Sequence, residues 1–213
     1  GFSNSPQKGH ELSESNYDLL EDLHEAQMMV NSMNAYVLQS NLYYTLGNDL
    51  PMLTLGGFLL RRRRILLFQD QLPPEHVVRF YDIEEAHGHI LQEWKTHYLK
   101  KMIVEAQSRL DVISYFLGEC AEGNSSCIEN YRNEALRRTI VQELLLRAET
   151  LNVKRLDSLK RHVRSVDSHL QPILEKAEFT WDERLKPAYS QAKFWWLYAT
   201  PKLTDADRPT GEA

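Results

Sequence analysis

The sequence predicts an all-α protein, a bundle of long antiparallel helices with coiled-coil-like heptad seams. Three observations carry this. Leu156, Leu159, Val163, Val166, Leu170, Ile173 and Ala177 alternate spacings of three and four, the a and d pattern of a helix packed on partner helices. Residues 126 to 171 contain neither glycine nor proline. No run of β-branched residues alternates with polar ones between turn residues, so strands are not expected.

Residues 1 to 14 are polar, with glycine and proline, and read as a disordered lead-in. Ser15 is expected as an N-cap with Asp18 three residues on, and the first helix should run to Gly47. Its seam is Leu19, Leu23, Ala26, Val30, Met33, Val37, Ser40 and Tyr44. The second helix should start after Asp49, with Pro51 in its first turn, and end before Pro73-Pro74. The third is expected from Glu75 to Leu117, interrupted only by Gly88, a length on the order of 65 Å.

Ser126 and Glu129 form a capping-box pattern that opens a fourth helix reaching Gln171. The two long helices should make an antiparallel hairpin over about 75–171. The stripe Val141, Leu144, Ala148, Leu151 does not continue in phase into Leu156, so a stutter or break is expected near Asn152. Pro172 should kink the chain. Helical stretches are then expected to Pro187 and through Phe194-Trp195-Trp196-Leu197-Tyr198, whose aromatics read as a plug for the core's end. Residues 204–213 form a polar tail, leaving 15–203 as a single domain.

The chain has 213 residues, 42% hydrophobic and 26% charged, with net charge −5. That is enough for a sizeable core, and it supplies no global basic field for nucleic acid or acidic lipid. No stretch approaches the roughly 18 to 20 apolar residues of a membrane span. The chain starts at Gly1, which suggests that an N-terminal segment such as a signal peptide or anchor was removed. Both a cytoplasmic protein and an extracytoplasmic domain fit this reading. Cys120 and Cys127 flank the hairpin turn and read either as a disulfide pinning it or as two free thiols. Asn124-Ser125-Ser126 fits the glycosylation acceptor pattern.

Several patterns could carry chemistry. Glu21/His24 and Glu84/His87 are Glu-x-x-His pairs of the kind that line di-metal helical bundles. The seam register puts Glu21 and His24 outside, whereas Glu84 and His87 align with Phe80, Leu91, Trp94 and Tyr98. The second helix offers Asp70 as its carboxylate. Glu85, His89, Glu93, His97, Lys101 and Glu105 recur every four residues. His89, Glu93 and His97 could grip zinc, but a solvated ladder of i, i+4 ion pairs is the favoured reading. No cofactor is favoured; a di-metal or zinc site at Glu84, His87, His89, Glu93 and His97 is the alternative.

Arg61, Arg62, Arg63 and Arg64 stand between apolar runs. Four consecutive helical residues turn through about 300°, so they cannot share one face. Such planar donors can hold an anion or a partner, and they can equally pair inside the chain with the Glu21, Asp22, Glu25 stretch. Residues 132–164 carry nine arginines and lysines against four acids, with no aromatic interleaving, so nucleic acid is disfavoured. No phosphate-binding glycine loop follows Gly56-Gly57, and no nucleophile elbow, Cys-x-x-Cys or His-Glu-x-x-His occurs. The leading expectation is a non-catalytic interaction or scaffold module that binds a protein partner or itself. A metal-dependent helical-bundle enzyme and an extracytoplasmic domain released from an anchor are the alternatives.

Overall fold

The structure is a computed structural model that describes residues 16–47, 49–123 and 126–203. The expectations for the lead-in, the Ser15 cap, Asn124-Ser125 and the polar tail lie outside the described residues. The described chain is mostly helical: α1 (Leu19–Leu38), α2 (Leu55–Leu67), α3 (Pro74–Glu93), α4 (Lys95–Ala121), α5 (Ser126–Thr150) and α6 (Asp157–Leu170). None of these helices is long and apolar enough to cross a membrane.

Asp18 caps α1, accepting from the amides of Leu20 and Glu21 at 3.0 and 3.2 Å. Leu23, Ala26, Val30, Met33 and Val37 are buried as the seam requires, joined by Met29 and Tyr36. The helix ends at Leu38, well short of Gly47. Lys101 donates to the carbonyls of Gln39 and Asn41, both at 2.6 Å, and Tyr36 donates to Leu42 O at 2.6 Å. These side chains take the carbonyls that another helical turn would have used. Ser40 is therefore exposed, and Tyr44 pairs with Leu53 in an isolated antiparallel bridge. Gly47, with φ 75°, sits in the turn of that link and terminates no helix. Pro51 also lies in the link, before Thr54 caps α2.

The expected third helix is two. Trp94 (φ −119°, ψ 35°) separates α3 from α4, while backbone hydrogen bonds still cross it from Trp94 N to Ile90 O and from Tyr98 N to Trp94 O, each 2.9 Å. The chain bends without losing its ladder, and Gly88 sits inside α3. The expected fourth helix also divides, near Asn152 as the phase slip implies. Asn152 and Arg155 have φ of 53° and 66°. Leu156, Leu159, Val163, Val166 and Leu170 are buried, but Ala177 is exposed and lies beyond the helix.

Pro172 lies inside a 3-10 turn (Gln171–Ile173) that leads into β1 (Leu174–Lys176), which pairs antiparallel with β2 (Ala199–Pro201). This overturns the expectation of helix and of no strands. Strands of three residues are too short to print an alternating pattern, and tertiary contacts set them. Phe194, Trp196 and Leu197 are buried, so the aromatic run does plug the core. Trp196 Nε1 donates to Thr139 Oγ1 at 2.8 Å. Arg138 stacks 3.9 Å from the Trp196 ring and holds Asp167 of α6 through two bonds of 2.8 and 2.9 Å. The C-terminal segment is thereby fastened to α5 and α6 together.

α4 and α5 make the most extensive helix pair, and Cys120–Cys127 bridges the turn between them with Cα atoms 5.2 Å apart. α2 touches α1, α4, α5 and the 3-10 turn Glu183–Ala188. A Cβ on Gly56 would overlap Ile140 Cγ2 and the Glu105 carboxylate, whereas one on Gly88 would meet open space. Gly56→Ala should therefore lower stability by about 1–3 kcal/mol through overpacking. Gly88→Ala should raise it by about 0.5–1 kcal/mol through helix propensity. Urea unfolding of the two variants checks the opposite signs.

Candidate functional site

The four arginines of α2 fan out, as the helical turn requires, and each meets a different part of the fold. Arg61 Nε contacts Glu25 of α1 at 2.5 Å, and its Nη1 donates to Gly57 O at 2.9 Å. Arg62 grips both oxygens of Glu84 of α3 at 2.7 and 2.9 Å. Arg63 pairs with Glu143 of α5 and lies 5.2 Å from the Phe194 ring centroid. Arg64 donates to Tyr189 Oη at 3.1 Å and stacks 4.7 Å from Trp181. Asp22, buried beside Tyr17, has its carboxyl raised by burial, against a lowering pull from Arg64. The acidic stretch of α1 supplies a partner at Glu25 and a neighbouring charge at Asp22, while Glu21 is exposed. Burial likewise raises the Glu143 carboxyl, and Arg63 is the strongest opposing influence.

Glu84 and His87 share a face of α3, yet each is already engaged. Both Glu84 oxygens belong to Arg62. His87 is buried, with Nε2 2.7 Å from Tyr98 Oη and its ring 4.7 Å from Phe58. Burial first, then the nearby Arg147 and Arg62, push the imidazole down to about 3. His87 is therefore neutral at ordinary pH. His89 makes an exposed 3.7 Å pair with Glu85, and Glu93 and His97 are exposed on either side of the Trp94 bend. The structure does not gather these residues: among the described residues no three of histidine, cysteine, aspartate or glutamate are placed to hold a metal ion. His24 instead meets Arg79 at 3.3 Å, and Asp70 lies in the 3-10 turn Gln69–Gln71.

The expected solvated ladder is exposed from Glu85 to His97 and buried beyond it. Lys101 and Glu105 are buried because α4, past the Trp94 bend, turns that row toward the core. Glu105 is fully buried; it accepts from Gly56 N at 3.0 Å and from Arg109 Nε at 2.9 Å, and Arg109 also reaches Thr54 Oγ1 at 3.2 Å. This constellation was missed from sequence. Its one available signal was the Gly56-Gly57 pair, which can mark close backbone approach.

A second charged feature faces outward. On α6 the buried stripe is opposed by Lys160, Arg161 and Arg164, and the preceding turn exposes Lys154 and Arg155. Lys160 shares a 3.4 Å pair with Glu149, and His162 lies 3.5 Å from Asp111.

Below an ordinary imidazole value of 6.5 the unfolded chain binds a proton at position 87, while the folded chain does not until about pH 3. Stability contributed by His87 is thus lost as pH falls through that window. Between pH 7 and 5 the loss should be about 2 kcal/mol. Urea unfolding at the two pH values should show His87→Gln losing about that much less than the parent; parallel acid losses in the two proteins would exclude a neutral His87.

Comparison with protein families, with curated proteins and with solved structures finds no match to this chain.

Proposed function

We propose that the chain is a non-catalytic helical-bundle binding module that docks an acidic macromolecule on the outer face of α6. The carrying observation is the segregation of charge. In a chain of net charge −5, Lys154, Arg155, Arg161 and Arg164 are exposed along one turn and one helix face, outnumbering the exposed Asp157 that lies among them. Arg155 takes a left-handed backbone at φ 66°, as does Asn152 at φ 53°, conformations that cost free energy for residues with a Cβ. That cost falls in a turn that displays basic side chains, which supports a role for it in binding.

Of the two partner classes expected from the sequence, another macromolecule is favoured over a second copy. The apolar stripe of α6 is buried against this chain's own helices, so its seam is used within the chain. What α6 leaves outside is charge. Charge of this kind favours fast, salt-sensitive association with a surface of opposite sign.

The test is fluorescence anisotropy with a labelled poly-glutamate peptide at several salt concentrations. The parent should bind at low salt and weaken steadily as salt rises. The exposed quadruple variant K154E/R155E/R161E/R164E should keep its helix content and bind at least tenfold more weakly. Affinity that is unchanged in that variant, or indifferent to salt, would refute the proposal.

A further inference from the structure

Arg62 and Arg63 are tied down on one side, and on another they line a cleft of about 580 Å3 between α2, α5 and the Glu183–Ala188 turn. A third guanidinium, Arg147 of α5, stands in the same wall. Its surroundings differ from those of the others. Arg147 bonds Tyr98, which in turn meets His87, and no carboxylate pairs with it among the described residues. Its Nε is buried and has no hydrogen-bond partner.

The charges near the cleft do not balance. Glu143 answers Arg63 and Glu84 answers Arg62, which leaves Arg147 as an uncompensated cation. The excess is a property of the region, since Arg147 and Arg62 both add to the burial that keeps His87 neutral. Arg147 is only partly buried where it lines the cleft, so an anionic oxygen bound there would pair with its guanidinium.

Glu143, paired with Arg63, and Thr150 also line the cleft, and the rest of its wall is apolar, with Leu59, Leu66 and Leu146 among it. Those side chains would be idle around a bare inorganic anion. Among the described residues no aromatic ring lines the cleft, so a nucleotide base would find nothing there to stack on. Its volume falls in the range of small-molecule sites, roughly 300–1,000 Å3.

We infer that this cleft binds a single-chain amphiphilic anion, with a carboxylate or phosphate head held by Arg147 and the open edges of Arg62 and Arg63. The aliphatic tail lies along Leu59, Leu66 and Leu146. This site is separate from the α6 face and concerns a small molecule, not a macromolecule.

Isothermal titration with five probes below their micelle concentrations tests it: decanoate, decyl phosphate, decanol, acetate and inorganic phosphate. Decanoate and decyl phosphate should bind once per chain, and the tighter of the two assigns the head group. Decanol, acetate and inorganic phosphate should each bind at least tenfold more weakly, because each lacks the head or the tail. Arg147→Gln should weaken the decyl anions at least tenfold and leave decanol unchanged. Arg147→Lys, which keeps the charge and loses the planar fork, should fall between and serves if the glutamine variant does not fold. Leu66→Gln, at an exposed wall position, should weaken decanoate without altering acetate. The inference is overturned if neither decyl anion saturates the protein or if decanol binds as tightly as decanoate. Inorganic phosphate matching decyl phosphate, or anion affinity unchanged in both Arg147 variants, would overturn it equally.

Discussion

One buried carboxylate organises this protein. Glu105 has no solvent exposure, and a carboxylate in that position is tolerable only when its oxygens are engaged. One oxygen receives the amide of Gly56 at the start of α2, the other receives Arg109. The start of a helix carries partial positive charge, so the carboxylate and the α2 terminus favour one another electrostatically. The approach is close enough that a side chain at residue 56 would force Ile140 and Glu105 to shift. α2 is thus fixed in depth and in rotation by its first turn.

Everything the arginines do follows from that rotation. Each residue of a helix advances by about 100°, so a slip of one position would swing all four guanidiniums away from their partners. As fixed, they reach α1, α3, α5 and the C-terminal segment, one arginine to each. Half-buried ion pairs of this kind are weak evidence for stability, because desolvation offsets much of the attraction. Their contribution here is to specify which face of α2 meets which neighbour. The buried side chains of Leu55, Phe58, Leu59 and Ile65 supply the apolar burial, and hydrophobic contact alone would accept several rotations.

The helical class, the buried stripes of α1 and α6 and the break near Asn152 were legible because each depends on local periodicity. Features governed by distant residues were not. α1 stops at Leu38 through Lys101, some sixty positions away, and no glycine or proline marks Trp94 as a bend. β1 and β2 are held by pairing across the chain, below the length at which alternation can register. Arg61 to Arg64 could be read as internally paired from the angular argument, since the helix cannot aim them together. Arg147 could not be singled out, because its distinction is the carboxylate it lacks, and a sequence does not show who stands beside whom.

The bridge between Cys120 and Cys127 spans a separation of only 7 residues, so closing it costs little chain entropy and needs no long-range contact to be formed first. It also makes the hairpin indifferent to a cut at its own tip. A protease acting once between those cysteines would leave two fragments, one carrying α1 to α4 and the other α5 to the end, still covalently joined. The nicked protein would keep its size and gain only the mass of one water, and a reductant would be needed to separate the halves.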